Sequence, residues 1–147
     1  MGYAPLSVSD SARYSHRGFL MDTARHYLSI GEIERMIDSL VMNKMNKLHW
    51  HLVDAQSFPF EAPSVPEMAK GAYIRNGKAL TYSADDIKHL TEYAHKRGIE
   101  VIFEVDVPGH AASWNAGKPE LSACQGGYTN INNLALNPTL DETYETL

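Results

Sequence analysis

At 147 residues, 44% of them hydrophobic and 21% charged, the chain has the make-up of one globular domain rather than a disordered or fibrous protein. A net charge of -5 gives no electrostatic reason to expect a nucleic-acid partner, and no apolar run approaches the roughly 20 residues that span a bilayer. Residues 1–20 lack the basic start and apolar stretch of a signal peptide, while the single cysteine, Cys124, excludes an internal disulfide and a thiolate metal site and reads as a small, partly buried side chain.

The first predicted element is a strand from Arg17 to Met21. Ser29-Ile-Gly-Glu32 follows as a capping box, a hydroxyl for exposed amides with a carboxylate three residues on, and starts a helix. Ile33, Met36, Ile37, Leu40, Val41 and Met45 recur at helical spacing as one apolar face, Glu32, Glu34, Arg35 and Asp38 face solvent, and Asn43 to Asn46 ends the helix. Lys47 to Val53 is a second strand, broken by the polar Asp54-Ala-Gln-Ser57. Residues 57–80, with Pro59, Pro63, Pro66, Gly71 and Gly77, form an excursion long enough to be functional or to hold a short element of its own. Ser83 and Asp86 open a second helix on Ile87, Leu90 and Ala94, which His95-Lys-Arg97 and Gly98 close. A third strand, Ile99 to Asp106, alternates so that Glu104 and Asp106 share a face. Pro108-Gly109 then turns the chain and presents His110, residues 115–135 read as loop, and a third helix begins after Asn137.

The order β-α-β-α-β-(α) predicts an α/β fold with right-handed parallel crossovers. A full (β/α)8 TIM barrel takes about 250 residues, so residues 1–147 are expected to be an N-terminal portion of one, about its first three βα units. Each strand ends in a polar cluster, at the rim where such folds gather their active sites, and the candidates are Asp22, Arg25, Asp54, Glu104, Asp106 and His110.

Residue chemistry alone leaves alternatives open. Glu104 and Asp106 are either the acid and base of a glycoside hydrolase or anchors for a buried Arg or His. His49 and His51 share a strand face and suit a divalent metal in a barrel hydrolase, or are hydrogen-bonded interior histidines. Trp50 and Trp114 are core residues or sugar-stacking platforms. Arg25, flanked by Asp22 and His26, is a fixed fork for hydroxyls or a carboxylate, or a structural salt bridge to Asp22.

Taken together, Arg17-Gly-Phe-Leu-Met-Asp-Thr-Ala-Arg-His-Tyr-Leu28, Asn46-Lys-Leu-His-Trp-His-Leu-Val-Asp-Ala-Gln-Ser-Phe-Pro59 and Phe103-Glu-Val-Asp-Val-Pro-Gly-His110 closely resemble the first three strand-and-loop segments of family 20 glycoside hydrolases, the β-N-acetylhexosaminidases of the lysosomal hexosaminidase type. The resemblance runs from about Ser9 to Leu147. One departure is Ala55, where many relatives carry a second Asp.

The resemblance implies that Arg25 binds hydroxyls of a terminal, non-reducing N-acetylhexosamine. It implies that Asp54 and His110 couple to the catalytic acid and set its pKa, and that Asp22, His51, Glu104 and Asp106 support the site, so the carboxylate pair is not the catalytic one. The implied mechanism is substrate-assisted and retaining: the 2-acetamido oxygen attacks the anomeric carbon, a Glu protonates the leaving group, and a neighbouring Asp orients the acetamido nitrogen, without metal or organic cofactor. That Asp-Glu pair sits in a Gly-Gly-Asp-Glu motif, which is absent here; Asp141-Glu142 lacks the glycines and reads as a charged first turn. The chain alone is therefore expected to be inactive and to expose apolar sheet surface. Its implied partners are N-acetylhexosamine-terminated glycans, the remainder of the barrel and a second copy in a homodimer of the complete protein. A lysosomal or secreted location, and pairing of Cys124 with a downstream cysteine, are likewise implied by the resemblance. A metal-dependent hydrolase and a non-catalytic carbohydrate-binding fragment acting through Arg25 remain the alternatives.

Overall fold

A computed structural model describes residues 6–124, 130–131 and 134–147. In chain order, strand β1 (Gly18–Asp22) leads to helix α1 (Ile30–Met42) and strand β2 (Lys47–Val53). A 3-10 helix (Pro66–Gly71) and a two-residue hairpin of β3 (Ile74–Arg75) and β4 (Lys78–Ala79) come next, so the excursion after β2 does hold elements of its own. Helix α2 (Ala84–His95), strand β5 (Glu100–Val105), two further 3-10 helices (Ala112–Ala116 and Pro119–Leu121) and helix α3 (Asp141–Thr146) complete the order.

Both long helices begin where their sequence signals stand. At α1 the Glu32 carboxylate accepts from the Ser29 amide at 2.7 Å, and at α2 Ser83 Oγ accepts from the Asp86 amide at 3.1 Å while Asp86 accepts from the Ser83 amide at 2.9 Å. Lys44, with φ 56°, and Gly98, with φ 75°, turn the chain out of α1 and α2 respectively. The first and third strands are displaced or trimmed by a residue at their ends relative to the sequence reading, an ordinary fraying of boundaries.

The sheet is parallel throughout, in the order β1-β2-β5. Its register places Asp22 opposite His51 and His51 opposite Glu104, so three polar residues from three strands stand in one row. Period-two alternation sends the neighbouring row, Met21 and Trp50, the other way, where both are buried with Ile33, Ile37 and Leu40 of α1 and Leu90 and Ala94 of α2. Trp50 is fully buried: its indole N–H donates to Thr23 Oγ1 at 2.8 Å and its ring meets Tyr82 edge-on. Trp114 is also buried, edge-on to Phe58. Both tryptophans are core, and the stacking-platform alternative falls away because neither presents a face to solvent.

Four expectations change on folding. Glu34 and Asp38 do not simply face solvent: Glu34 accepts from His89 at 2.7 Å, and Asp38 accepts from Arg97 Nε at 2.6 Å and the Tyr93 hydroxyl at 3.0 Å, joining α1 to α2. Val41, assigned to the apolar face, is exposed in the last turn of α1. Cys124 is exposed rather than partly buried, and the loop assigned to 115–135 contains the short helix Pro119–Leu121 and a bridge from Ser122 to Leu136, with part of it outside the described residues.

Truncating Ile37 to Ala should cost about 2–5 kcal/mol in urea unfolding, as for other fully buried aliphatic residues, whereas Val41→Ala on the same helix should cost under about 1 kcal/mol.

Candidate functional site

Asp54 follows directly on β2, after an irregularity in the β2–β5 register between His51 and Val53, and it has no solvent exposure. Its backbone exchanges hydrogen bonds with Ser57 in a tight loop, and its carbonyl accepts from Ser113 Oγ at 2.6 Å. Ser113 stands close because residue 71 is glycine: a Cβ there would lie 2.3 Å from the Ser113 carbonyl oxygen. The Asp54 carboxylate is thereby fixed at the end of the strand with its oxygens facing the rim.

Four donors converge on that carboxylate. The Ala55 amide donates to Oδ1 at 2.6 Å, and Oδ2 accepts from Arg25 Nη2 at 2.8 Å, His51 Nε2 at 2.9 Å and His110 Nδ1 at 3.2 Å. Burial alone would push the Asp54 carboxyl up, but the Ala55 amide, the two histidines and Arg25 outweigh it and hold it below the usual carboxylate value. The donors come from the loop after β1, from β2 and from the turn after β5. His110 reaches Asp54 from a left-handed backbone conformation, φ 55°, just past Pro108-Gly109, and its Nδ1 also lies 3.3 Å from Asp106 Oδ2.

Arg25 is held from three sides. Nη1 donates to Asp22 Oδ2 at 2.5 Å, Nη2 to Asp54, and Nε to Gln56 Oε1 at 2.8 Å. Burial works against its charge, yet Asp22 first and then Asp54 and Asp106 raise its affinity for the proton. A guanidinium has five N–H groups, so among the described residues two remain, one on each terminal nitrogen of a side chain 39% exposed. His26 was expected to flank and hold this fork; it is exposed and makes no hydrogen bond or ion pair among the described residues, and Gln56 and Asp54 take that part instead.

Glu104 accepts from both histidines of β2, from His49 Nε2 and, at 3.0 Å, from His51 Nδ1. Those hydrogen bonds, led by His51, outweigh burial and hold the Glu104 carboxyl low. The donor atoms of His51, Asp54 and Asp106 lie within 4.8 Å of one another. This is not a vacant set of ligands: both His51 nitrogens already face carboxylates, and Asp54 Oδ2 accepts from Arg25, a fixed cation, so a divalent ion would displace a guanidinium and compete with two protons.

All seven candidates thus meet in one network: Asp22, Arg25, His51, Asp54, Glu104, Asp106 and His110. Gln56, the Ala55 amide and Ser113 were not singled out beforehand. Gln56 lies inside the second polar run, so its position was a signal without a role, whereas Ser113 is 59 residues from Asp54 and gave none. Asp141 and Glu142 open α3, and Glu142 accepts from Lys118 at 3.0 Å, away from this cluster.

The family model of glycosyl hydrolase family 20, catalytic domain, matches residues 14–147. The chain is 47% identical over 140 residues to beta-hexosaminidase subunit A1 of Dictyostelium discoideum, covering 95% of this chain and 26% of that protein. It is 42% identical over 144 residues to human beta-hexosaminidase subunit beta, covering 96% and 25%. Among solved structures, the family 20 exo beta-N-acetylglucosaminidase of Vibrio harveyi in complex with N-acetylglucosamine is 30% identical with a TM-score of 0.81, over 93% of this chain and 25% of that one. The chain spans about a quarter of the length of these relatives.

Stability should depend on pH through this cluster. His51 is pulled down by burial but raised further by Glu104 and Asp54, so its contribution is complete below the unfolded value of about 6.5 and is lost as pH rises through the higher folded value. Asp54 and Glu104 are lowered, so theirs are complete above about 4.3 and lost as pH falls through the folded values. The thermal midpoint should be highest between about pH 4.3 and 6.5, and Asp54→Asn should flatten the acid side of that curve.

Proposed function

The chain belongs to glycosyl hydrolase family 20, and from that membership we propose that it is the N-terminal part of the catalytic domain of a β-N-acetylhexosaminidase, which removes terminal N-acetylglucosamine or N-acetylgalactosamine from glycans. The reading extends to architecture: β1, β2 and β5 with α1 and α2 are the beginning of a (β/α)8 barrel. The exposed apolar side chains of the two edge strands support this, since Phe19 and Leu20 on β1 and Ile102, Phe103 and Val105 on β5 are surfaces that neighbouring barrel strands and helices would cover.

The observation that carries the functional reading is the junction at Asp54, where a guanidinium and an imidazole meet on one buried carboxylate. The two remaining Arg25 N–H groups suit a pair of adjacent sugar hydroxyls, whose oxygens accept side by side. His110, with Nδ1–H donated to Asp54, keeps its other nitrogen unpaired among the described residues, as an acceptor or proton carrier for a neighbouring acid. In the reaction this site would serve, the substrate's acetamido oxygen bonds to the anomeric carbon as the glycosidic oxygen departs with a proton from that acid. Water then attacks the anomeric carbon, returns the proton to the acid and restores the acetamido group, with net retention. The acid and its adjacent Asp belong to a Gly-Gly-Asp-Glu motif that this sequence does not contain. Here the chain contributes a hydroxyl clamp and an Asp-His couple.

The test is cleavage of a chromogenic N-acetyl-β-glucosaminide. The full-length protein should turn it over and the 147-residue chain alone should not; turnover by the isolated chain would refute the proposed division of the site. In the full-length protein, Arg25→Ala removes two charge-assisted hydrogen bonds to substrate and should lower kcat/KM by about 100-fold or more. An unchanged kcat/KM would sink the clamp.

A further inference from the structure

We infer that His51 is a positioning residue of this site: clamped as an imidazolium between Asp54 and Glu104, it keeps Asp54 an anion, and the Asp54 anion in turn holds His110 in one tautomer and orientation. The inference rests on the proposed coupling of Asp54 and His110 to the catalytic acid and adds a member that acts through both.

The argument begins with donor counting. His51 lies in the polar row across the sheet, between Asp22 on β1 and Glu104 on β5, and its side chain is only 8% exposed. Nε2 is 2.9 Å from Asp54 Oδ2, and Nδ1 is 3.0 Å from Glu104 Oε1. A neutral imidazole has one N–H, so it would satisfy one carboxylate and turn a lone pair on the other. Both contacts are hydrogen bonds only when a proton sits on each nitrogen or when one carboxyl is itself protonated. Asp54 is a poor place for that proton: its Oδ2 already accepts from Arg25 and His110 and its Oδ1 from the Ala55 amide. Glu104 is held by His49 as well. The second proton therefore belongs to His51.

Charge balance points the same way. The groups facing His51 and its partners are Asp22 and Arg25 at the end of β1, His49 and Asp54 on and after β2, and Glu104, Asp106 and His110 on and after β5. Four carboxylates share this space with one fixed cation, Arg25, and the imidazolium is the second. The tendency of His51 to keep its proton, Glu104 and Asp54 prevailing over burial, agrees with the geometry. Without that cation Asp54 would take up a proton more readily, and a protonated Asp54 no longer selects the Nδ1–H form of His110. Glu104 has a defined part in this arrangement: it is the counter-charge that keeps His51 protonated rather than a group that meets substrate.

Two measurements on the full-length protein test the inference. Ring-nitrogen NMR of 15N-histidine-labelled protein at about pH 7, where an ordinary histidine is mostly neutral, should show both His51 nitrogens protonated; one bare nitrogen would overturn the proposal whether or not the enzyme turns over substrate. In pH profiles of kcat on an N-acetyl-β-glucosaminide, His51→Gln should move the acid limb up by about one to two pH units, with KM within about threefold of wild type. Glu104→Gln, which keeps His51 in place and removes only its counter-charge, should lower the pH at which His51 loses its second proton in the same NMR experiment, and guards against a His51 variant that fails to fold. A uniform fall in kcat with an unmoved profile in His51→Gln, or a His51 that holds its second proton equally well in Glu104→Gln, would make His51 merely structural and end the proposal. Failure of the wild-type protein to cleave the substrate would instead refute the functional reading, leaving the NMR result to decide the state of His51.

Discussion

The arrangement depends on one ionised carboxylate with no contact to water. An isolated charge at the position of Asp54 would be several kcal/mol unfavourable, so its burial obliges the chain to bring donors to it. Those donors come from three separate parts of the sequence: Arg25 after β1, His51 and the Ala55 amide on and beside β2, and His110 after β5. Three of them are themselves tied to further carboxylates, Arg25 to Asp22, His51 to Glu104 and His110 to Asp106. The rim behaves as one alternating network of charges, in which removing a single member leaves its neighbours unpaired in a poorly solvated place.

What gives this network its precision is the apolar layer beneath it. Trp50, Met21 and Leu48 lie buried under α1 and α2, and their packing fixes the register of the three strands. A one-residue slip of β2 would exchange Trp50 for His51, placing an imidazole in the core and an indole at the rim, so the hydrophobic pattern and the polar row enforce each other. The bridges between the helices, Asp38 with Arg97 and Tyr93, and Glu34 with His89, add a polar seam on the outer side of the same layer. The 3-10 helices contribute by close approach: Gly71 admits Ser113, and Ser113 holds the Asp54 carbonyl.

The proposed function rests on what the network leaves over. Among the described residues Arg25 keeps two N–H groups after meeting its internal partners and His110 keeps one ring nitrogen, so a cluster that is nearly closed electrostatically still leaves polar groups over on two partly exposed side chains. In the proposed function, this preorganised arrangement serves as a clamp for a neutral sugar, whose hydroxyls need fixed partners rather than a net field. The carboxylates that look catalytic in isolation, Glu104 and Asp106, are spent on histidines.

Much of this was legible in the order of residues. Local chemistry determines local structure: the Ser29 and Ser83 capping signals, the stop at Gly98 and the extent of β2 follow from hydrogen bonding and backbone preferences within a few residues of each position. The three polar strand ends and the parallel βαβ order were equally visible, and with them the meeting of Asp22, Arg25, Asp54, Glu104, Asp106 and His110 in one cluster. Tertiary structure alone decided who pairs with whom. That Asp38 and Glu34 turn to α2, that Arg25 takes Gln56 and Asp54 rather than His26, that Ser113 reaches back to Asp54, and that His51 bridges two carboxylates all depend on strand register and helix docking. The physical reason is range: capping and periodicity act over three or four residues, whereas the charge on a buried carboxylate is set by every donor within about 4 Å, and at Asp54 those donors are gathered from across the fold.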